Sequence, residues 1–210
     1  PSTEITRLLG AGHRYDEARG GLCPMLDENQ ATTVPGLYAS GDGAGVLGAA
    51  AAPMRGELAA LDVARYLGRL TDGERDRRAR RARGRLKRAS KFGRAMTMLT
   101  MPPVGVASAI DREAIVCRCE LLSRATLDRA IDDGAVTLNE LKAATRCGMG
   151  PCGGRICEEA AAQLIVARTG KRRADLLPAT VRPPIRPLPL AVLGPELDYA
   201  NLPLPEPAPL

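Results

Sequence analysis

The chain has 210 residues, enough for one or two domains with a real core, and with no tryptophan and a single phenylalanine any such core is aliphatic. Its formal charge of +6 is modest and comes largely from one segment, and no run of about twenty apolar residues is present to cross a membrane. Residues 1–16 lack the basic start and apolar block of a secretory signal, so a cytoplasmic, reducing location with free thiols is expected.

In chain order, Ile5 to Leu9 is a short apolar piece ending in Gly10-Ala11-Gly12, followed by His13, the only histidine. A lone histidine beside a glycine turn reads as a surface or packing residue. Gly20-Gly21 leads into Leu22 to Leu26, a predicted strand in which Cys23 is a small packing residue, and Asp27 to Gln30 forms a polar turn. Next comes Thr32-Thr33-Val34-Pro35-Gly36-Leu37-Tyr38-Ala39-Ser40-Gly41-Asp42. Pro35-Gly36 suits a type II turn, Leu37 to Ala39 a short buried strand, and Gly41-Asp42 its carboxyl end. A carboxylate there can accept a hydrogen bond from a sugar-alcohol hydroxyl, while helix N-terminal amides suit a phosphate or an electron-rich ring.

This stretch resembles the second FAD-binding motif of the two-dinucleotide-domain flavoproteins, T-x-x-P-G-ϕ-Y-A-x-G-D. The resemblance implies that Asp42 holds the ribitol chain of FAD. Gly43-Ala44-Gly45-Val46-Leu47-Gly48 also satisfies G-x-G-x-x-G, but the dinucleotide fingerprint needs its acidic residue at the end of a second parallel strand. Asp62 instead falls inside the helical pattern Leu58, Leu61, Ala64, Leu67, so a Rossmann start is rejected. Gly43, Gly45 and Gly48 are read as letting the backbone approach the flavin ring, and Gly41, Asp42, Gly43 and Gly45 are the expected cofactor-binding positions. No fingerprint for the AMP half of FAD is found, and the chain starts on Pro1, so it is expected to be the C-terminal part of a longer subunit.

Thr71-Asp72-Gly73 punctuates the chain before a basic run from Glu74 to Arg94. Without an aromatic platform or docking motif, and with Asp72, Glu74 and Asp76 at its start, the run reads as a solvated inter-domain helix rather than a nucleic-acid arm. Ala95 to Ile110, with Met96, Met98, Met101 and Pro102-Pro103, reads as an adaptable linker.

Five of the six cysteines lie between Cys117 and Cys157, as C-R-C-E at Cys117 to Glu120 and C-G-M-G-P-C-G-G-R-I-C from Cys147. Clustered thiolates select zinc or iron–sulfur. C-x-C is uncommon for zinc and the long spacer suits a cluster, so a [2Fe–2S] centre leads and zinc is the alternative. Cys117 and Cys119 form the first pair, and the second is Cys147 with Cys152 or Cys152 with Cys157. Ser123 is predicted to cap a helix carrying Leu127, Ala130 and Ile131 that stops at Gly134. Thr137 to Glu140 is a capping box for a second helix, and a third is predicted from Cys152 or Gly153 to Gly170 with Ile156, Ala160 and Leu164 on one stripe. Beyond Lys171 the chain turns proline-rich and is expected to lie extended on a neighbouring surface or a partner, with 197–210 disordered or ordered only by a partner.

Val116 to Thr169 resembles the bacterioferritin-associated-ferredoxin type of [2Fe–2S] domain. T-R-C-G-M-G-P-C-G-G-R-I-C is similar to the variant in alpha subunits of bacterial amine-oxidising dehydrogenases of the opine oxidase, hydrogen cyanide synthase and hydroxyproline or proline dehydrogenase type. Thirty-two residues separate Cys119 from Cys152, close to that family's spacer, which favours Cys117, Cys119, Cys152 and Cys157 as ligands and leaves Cys147 a nearby non-ligand.

The expected fold is α/β, a partial two-dinucleotide-domain flavoprotein, followed by a small, mainly helical [2Fe–2S]-binding domain. Its expected divisions are 1–70 (end of an FAD domain), 71–112 (basic helical linker), 113–170 (cluster domain) and 171–210 (extended tail). The resemblance implies an FAD and [2Fe–2S] electron-transfer subunit working with a separate catalytic flavoprotein subunit on an amine, amino acid or opine. No chemical catalyst, nucleic-acid partner or membrane span is read in the chain. The competing readings are a zinc-stabilised regulatory or nucleic-acid-binding protein and a stand-alone ferredoxin-type partner.

Overall fold

The computed structural model describes residues 1–103 and 105–193. Helices dominate it. A short helix α1 (Glu4–Leu8) leads into an antiparallel hairpin of β1 (His13–Asp16) and β2 (Gly21–Pro24). Cys23, on β2, is fully buried, as its reading as a packing residue requires. The His13 ring lies between the Thr6 hydroxyl and the Ala11 carbonyl, which accepts from Nδ1–H, so it serves local packing.

The turn at Val34 to Leu37 forms with Gly36 at φ +77° and the Leu37 amide donating to the Val34 carbonyl, as Pro35-Gly36 predicts. Leu37 to Ala39 departs from expectation: it is half-buried and makes one isolated bridge, Tyr38 to Ala31, rather than a strand. A ladder needs a continuous neighbour, and none is present among the described residues. The sheet content of residues 1–70 is therefore one two-stranded hairpin, with no parallel sheet in the described part.

The chain then passes through a 3-10 turn (Gly41–Ala44) into α2 (Ala52–Tyr66) and α3 (Asp72–Thr100). Thr71, expected only to break the chain, begins α3 with a reciprocal capping box to Glu74. The basic run is helical but is not a free solvated rod. Ala79 and Ala82 present a small, buried face to Leu58 of α2, so the two helices approach closely and leave the arginines at the edges. The helix also runs on through Ala95 to Thr100, where a linker was expected, because Gly93 lets it press onto the Leu47 backbone. A Cβ at Gly93 would lie 2.1 Å from the Leu47 oxygen, and the Thr97 hydroxyl donates to the Val46 carbonyl at 2.9 Å.

Between α2 and α3 sits Asp62, 2% exposed, which accepts from Tyr38 Oη (2.8 Å), Arg65 Nε (2.9 Å) and Arg75 Nη1 (2.7 Å). Burial opposes its ionisation, yet these three donors outweigh it and hold the carboxyl at about 2. The same environment, burial first and then the carboxylate, pushes the Tyr38 phenol up to about 12.

The second half is a compact helical module. A bulged hairpin of β3 (Ile115–Cys117) and β4 (Leu122–Ser123) is followed by α4 (Arg124–Asp132), α5 (Leu138–Thr145) and α6 (Glu158–Thr169). Ser123 caps α4 by accepting from the Thr126 amide, and Gly134 follows its end at φ +108°. Thr137 caps α5 through the Glu140 amide, but the Glu140 carboxylate accepts from Val136, one residue earlier than a capping box requires. Leu127, Ile131, Leu138, Leu141, Leu164 and Ile165 close an aliphatic core, which Ala107 enters from a 3-10 turn (Val106–Ala109) and Leu176 from the tail.

Helix α6 begins at Glu158, later than Cys152 or Gly153. Gly153 and Gly154 take φ of +61° and +81°, which a right-handed helix cannot continue through, so 152–157 is a looped turn. Its buried side is Ala161, Ala162, Leu164 and Ile165, whereas Ile156, expected on the buried stripe, is exposed. The tail lies along this module, with the Thr180 amide donating to Asn139 and the Ala179 carbonyl accepting from Arg7, before a last turn, α7 (Leu190–Leu193). The expectation for 197–210 lies outside the described residues.

Candidate metal centre and flavin loop

The local chain directions bring all five clustered cysteines to one place. Cys117 ends β3 facing the core, and the following turn, with Leu121 at φ +52°, carries Cys119 outward into solvent. Arg146 ends α5 in the left-handed region at φ +66°, which turns Cys147 back into the module. Cys157 is the N-cap residue of α6 and is buried, and Cys152 sits half-buried at the start of the glycine loop.

The sulfurs of Cys117, Cys147 and Cys157 lie within 4.8 Å of one another. The Cys119 and Cys152 thiols act on each other electrostatically, and Cys119 packs against Gly150 of the second cysteine segment. The loop is shaped for that contact: a Cβ at Gly150 would fall 2.1 Å from Cys119 Cβ and 2.9 Å from its sulfur. Glycine is therefore obligatory at 150 for the first and second cysteine segments to meet.

Electrostatics divide the thiols. Burial works to raise Cys152, but the Cys119 hydrogen bond and the backbone amides of Ile156, Gly154 and Arg155 outweigh it, and its pKa is lowered. Cys157 is pushed up, first by its hydrogen bond with Cys147 and then by burial. For Cys119 the Cys152 amide works downward, yet the Cys152 thiol and desolvation together raise it. The amides expected at a helix N-terminus near Cys152 come instead from the 154–156 loop. The donor set, thiols gathered on a backbone nest of N–H groups, fits a thiolate-ligated iron–sulfur centre. Of the five thiols, Cys147 is the one whose contact with Cys117 and Cys157 the spacing argument could not foresee.

The other site expected from sequence, Gly41-Asp42-Gly43-Ala44-Gly45, is a braced loop. Arg55 of α2 is 3% exposed and donates from Nη1 to the carbonyls of Gly41 (3.1 Å) and Gly45 (2.8 Å). Burial, and after it the Arg19 charge, lowers its pKa to about 10. A Cβ on Gly45 would stand 2.9 Å from Arg19 and 3.0 Å from the Cys23 sulfur, and one on Gly43 would stand 3.3 Å from the Ser2 carbonyl. These two glycines thus allow the protein's own segments to close up. Gly41, at φ +63°, has open space where its side chain would be, and Asp42 is exposed beside it. A carboxylate presented on a fixed loop into open space suits a ligand hydroxyl. Arg55 was not legible as part of this site, since nothing in a helical arginine marks it as buried.

A groove of about 990 Å³ opens beside the cysteine loop, and Lys142, Arg146, Arg182 and Arg186 line it together with the loop itself. No described helix is long and apolar enough to cross a membrane.

Residues 115–167 match the BFD-like [2Fe-2S] binding domain family. Over 92% of its length the chain is 34% identical to an opine oxidase subunit of Agrobacterium tumefaciens (strain Ach5), covering 39% of that protein. It is also 28% identical, over 91% of its length, to hydrogen cyanide synthase subunit HcnB of Pseudomonas aeruginosa, covering 40% of it. The fold is shared with L-proline dehydrogenase from P. horikoshii, with a TM-score of 0.70 at 21% identity, covering 92% of this chain and 37% of that one. The chain thus spans about two-fifths of the length of the curated relatives it matches. Residues 115–167 form a BFD-like [2Fe–2S] binding domain, and the chain that carries it is a relative of these oxidoreductase subunits.

Proposed function

We propose that this chain transfers electrons within a flavin-dependent dehydrogenase or oxidase of amines, amino acids or opines. In this reading Cys117, Cys119, Cys152 and Cys157 hold a [2Fe–2S] cluster, and Asp42 with Gly41, Gly43 and Gly45 belongs to an FAD site. Residues 1–70 would be the end of a two-dinucleotide-type FAD domain, and 113–170 the cluster domain. A catalytic flavoprotein subunit would oxidise the substrate. The observation that carries the reading is the gathering of the Cys117, Cys147 and Cys157 sulfurs within 4.8 Å of one another, with Cys119 brought against the second cysteine segment at Gly150, where there is no room for a side chain.

Bound there, the cluster supplies one-electron carriage. The chain's own part is to gather the thiolates, to point the amides of 154–156 at the Cys152 sulfur, and to leave Cys119 at the surface as the outward-facing edge. Asp42 would orient the flavin's ribitol hydroxyls from a loop that Arg55 keeps in place.

Metal analysis of the anaerobically purified protein tests the cluster: equal iron and acid-labile sulfide without zinc is expected, and zinc without sulfide overturns it. Cys147→Ser should keep the [2Fe–2S] absorption and EPR signal, while Cys152→Ser and Cys157→Ser lose or distort them. A normal signal in Cys157→Ser with a lost one in Cys147→Ser would move the fourth ligand to Cys147. In a flavin-loaded form of the subunit, Asp42→Ala should weaken FAD binding about ten- to a hundredfold, the worth of one charge-assisted hydrogen bond. An unchanged Kd would remove Asp42 from the site.

A further inference from the structure

Arg155 sits inside the Cys152 to Cys157 loop and ties together three parts of the molecule. Its guanidinium donates to the Cys152 carbonyl of its own loop and to the Ile185 carbonyl of the tail at 2.7 Å, and it forms an ion pair with the Glu4 carboxylate of α1 at 3.1 Å. It folds back over Gly153, whose added Cβ would meet Nη1 at 3.4 Å. Glu4 is itself fixed, since its other oxygen accepts from the Ser2 hydroxyl at 2.6 Å and Arg186 lies 3.3 Å away. The Arg155 side chain is 32% exposed and that of Glu4 14%, so the pair is shielded more than an open surface contact.

We propose that Arg155 is a positioning residue for the cluster, holding the Cys152–Cys157 loop against the N-terminal segment while its charge, tempered by Glu4, sets the cluster's reduction potential. The proposal rests on Cys152 and Cys157 being ligands. A thiolate-ligated cluster is anionic, and the single electron it accepts from a reduced flavin donor adds further negative charge. A guanidinium within the ligand loop therefore favours the reduced form, and a neighbouring carboxylate disfavours it. The planar fork also matters separately, because lysine can keep the charge but cannot bridge three acceptors in one plane.

The test uses the cluster-loaded subunit, with EPR-monitored titration against dithionite and the rate of iron loss to a chelator as its two readouts. Arg155→Gln is expected to lower the reduced-to-oxidised ratio at fixed ambient potential roughly three- to tenfold, allowing for partial screening. It should also speed iron loss about tenfold through the missing charge-assisted hydrogen bonds. Arg155→Lys should restore the ratio but not the slow iron loss, and Glu4→Gln should raise the ratio. If both Arg155→Gln readouts match wild type, the proposal falls. Should Arg155→Gln take up no cluster, Glu4→Gln decides: a raised ratio supports the proposal, and wild-type values overturn it. Failure of the ligand assignment is seen independently, as an intact signal in Cys152→Ser.

Discussion

Each half of the molecule contains a buried aspartate between two arginines, and the two are built differently. Asp62 accepts hydrogen bonds from Tyr38, Arg65 and Arg75. Asp128, equally buried on α4, faces Arg124 and Arg168 at 3.3 Å each but accepts no hydrogen bond within the described structure. Their surroundings account for the difference. Among the described residues the α2–α3 pair has a core of three buried residues, Leu58, Ala79 and Ala82, so directed polar contacts hold that region together. The second-half module has fifteen described residues buried in one core, and there the ion pair is incidental to packing. The cysteine site stands on the well-packed half, and the Gly41–Gly45 loop on the half organised by polar contacts.

Core truncation should show the contrast most strongly. Leu164→Ala, at the centre of the module core, is expected to cost about 2–5 kcal/mol and to reduce cluster retention with it, measured by denaturant unfolding and the visible absorption. Leu58→Ala should fall at the low end, about 2 kcal/mol, because its neighbours are alanines, and should leave the absorption intact. Equal costs would mean that the two halves are packed alike.

The Asp62 network comes next. Its carboxyl is held below the ordinary 3.8, at about 2, so its contribution is complete above pH 3.8 and is lost as pH falls through about 2. Asp62→Asn should therefore cost about 2 kcal/mol at neutral pH, with the gap to wild type closing across that acid window. A pH-independent gap would show that packing, not charge, is what Asp62 supplies. A smaller effect is expected at Asp128→Asn, because no hydrogen bond is lost and Arg124 and Arg168 keep the Ile110 carbonyl and Asp132, so neither guanidinium is left without a partner. A larger cost there than at Asp62 would invert the comparison.

The local chemistry of the chain was open to reading from residues alone. Pro35-Gly36 requires its turn, Ser123 and Thr137 satisfy free amides at helix starts, and C-x-C with a distant C-x4-C marks a thiolate site, because each depends on neighbours a few positions away. What depended on distant neighbours was not. Alternating small residues in the basic run look solvated until α2 offers Leu58 to Ala79 and Ala82. Leu37 to Ala39 looks like a strand until the lack of a continuous partner shows, and α6 starts late because two positive-φ glycines were spent on the loop around Cys152. Cys147 joins Cys117 and Cys157, Arg55 braces the Gly41–Gly45 loop, and Arg155 reaches Glu4, only because the fold closes segments far apart in sequence. Sequence spacing determines which donors exist along the chain; the tertiary structure alone decides which of them meet, since burial and hydrogen-bond direction are properties of the assembled surfaces.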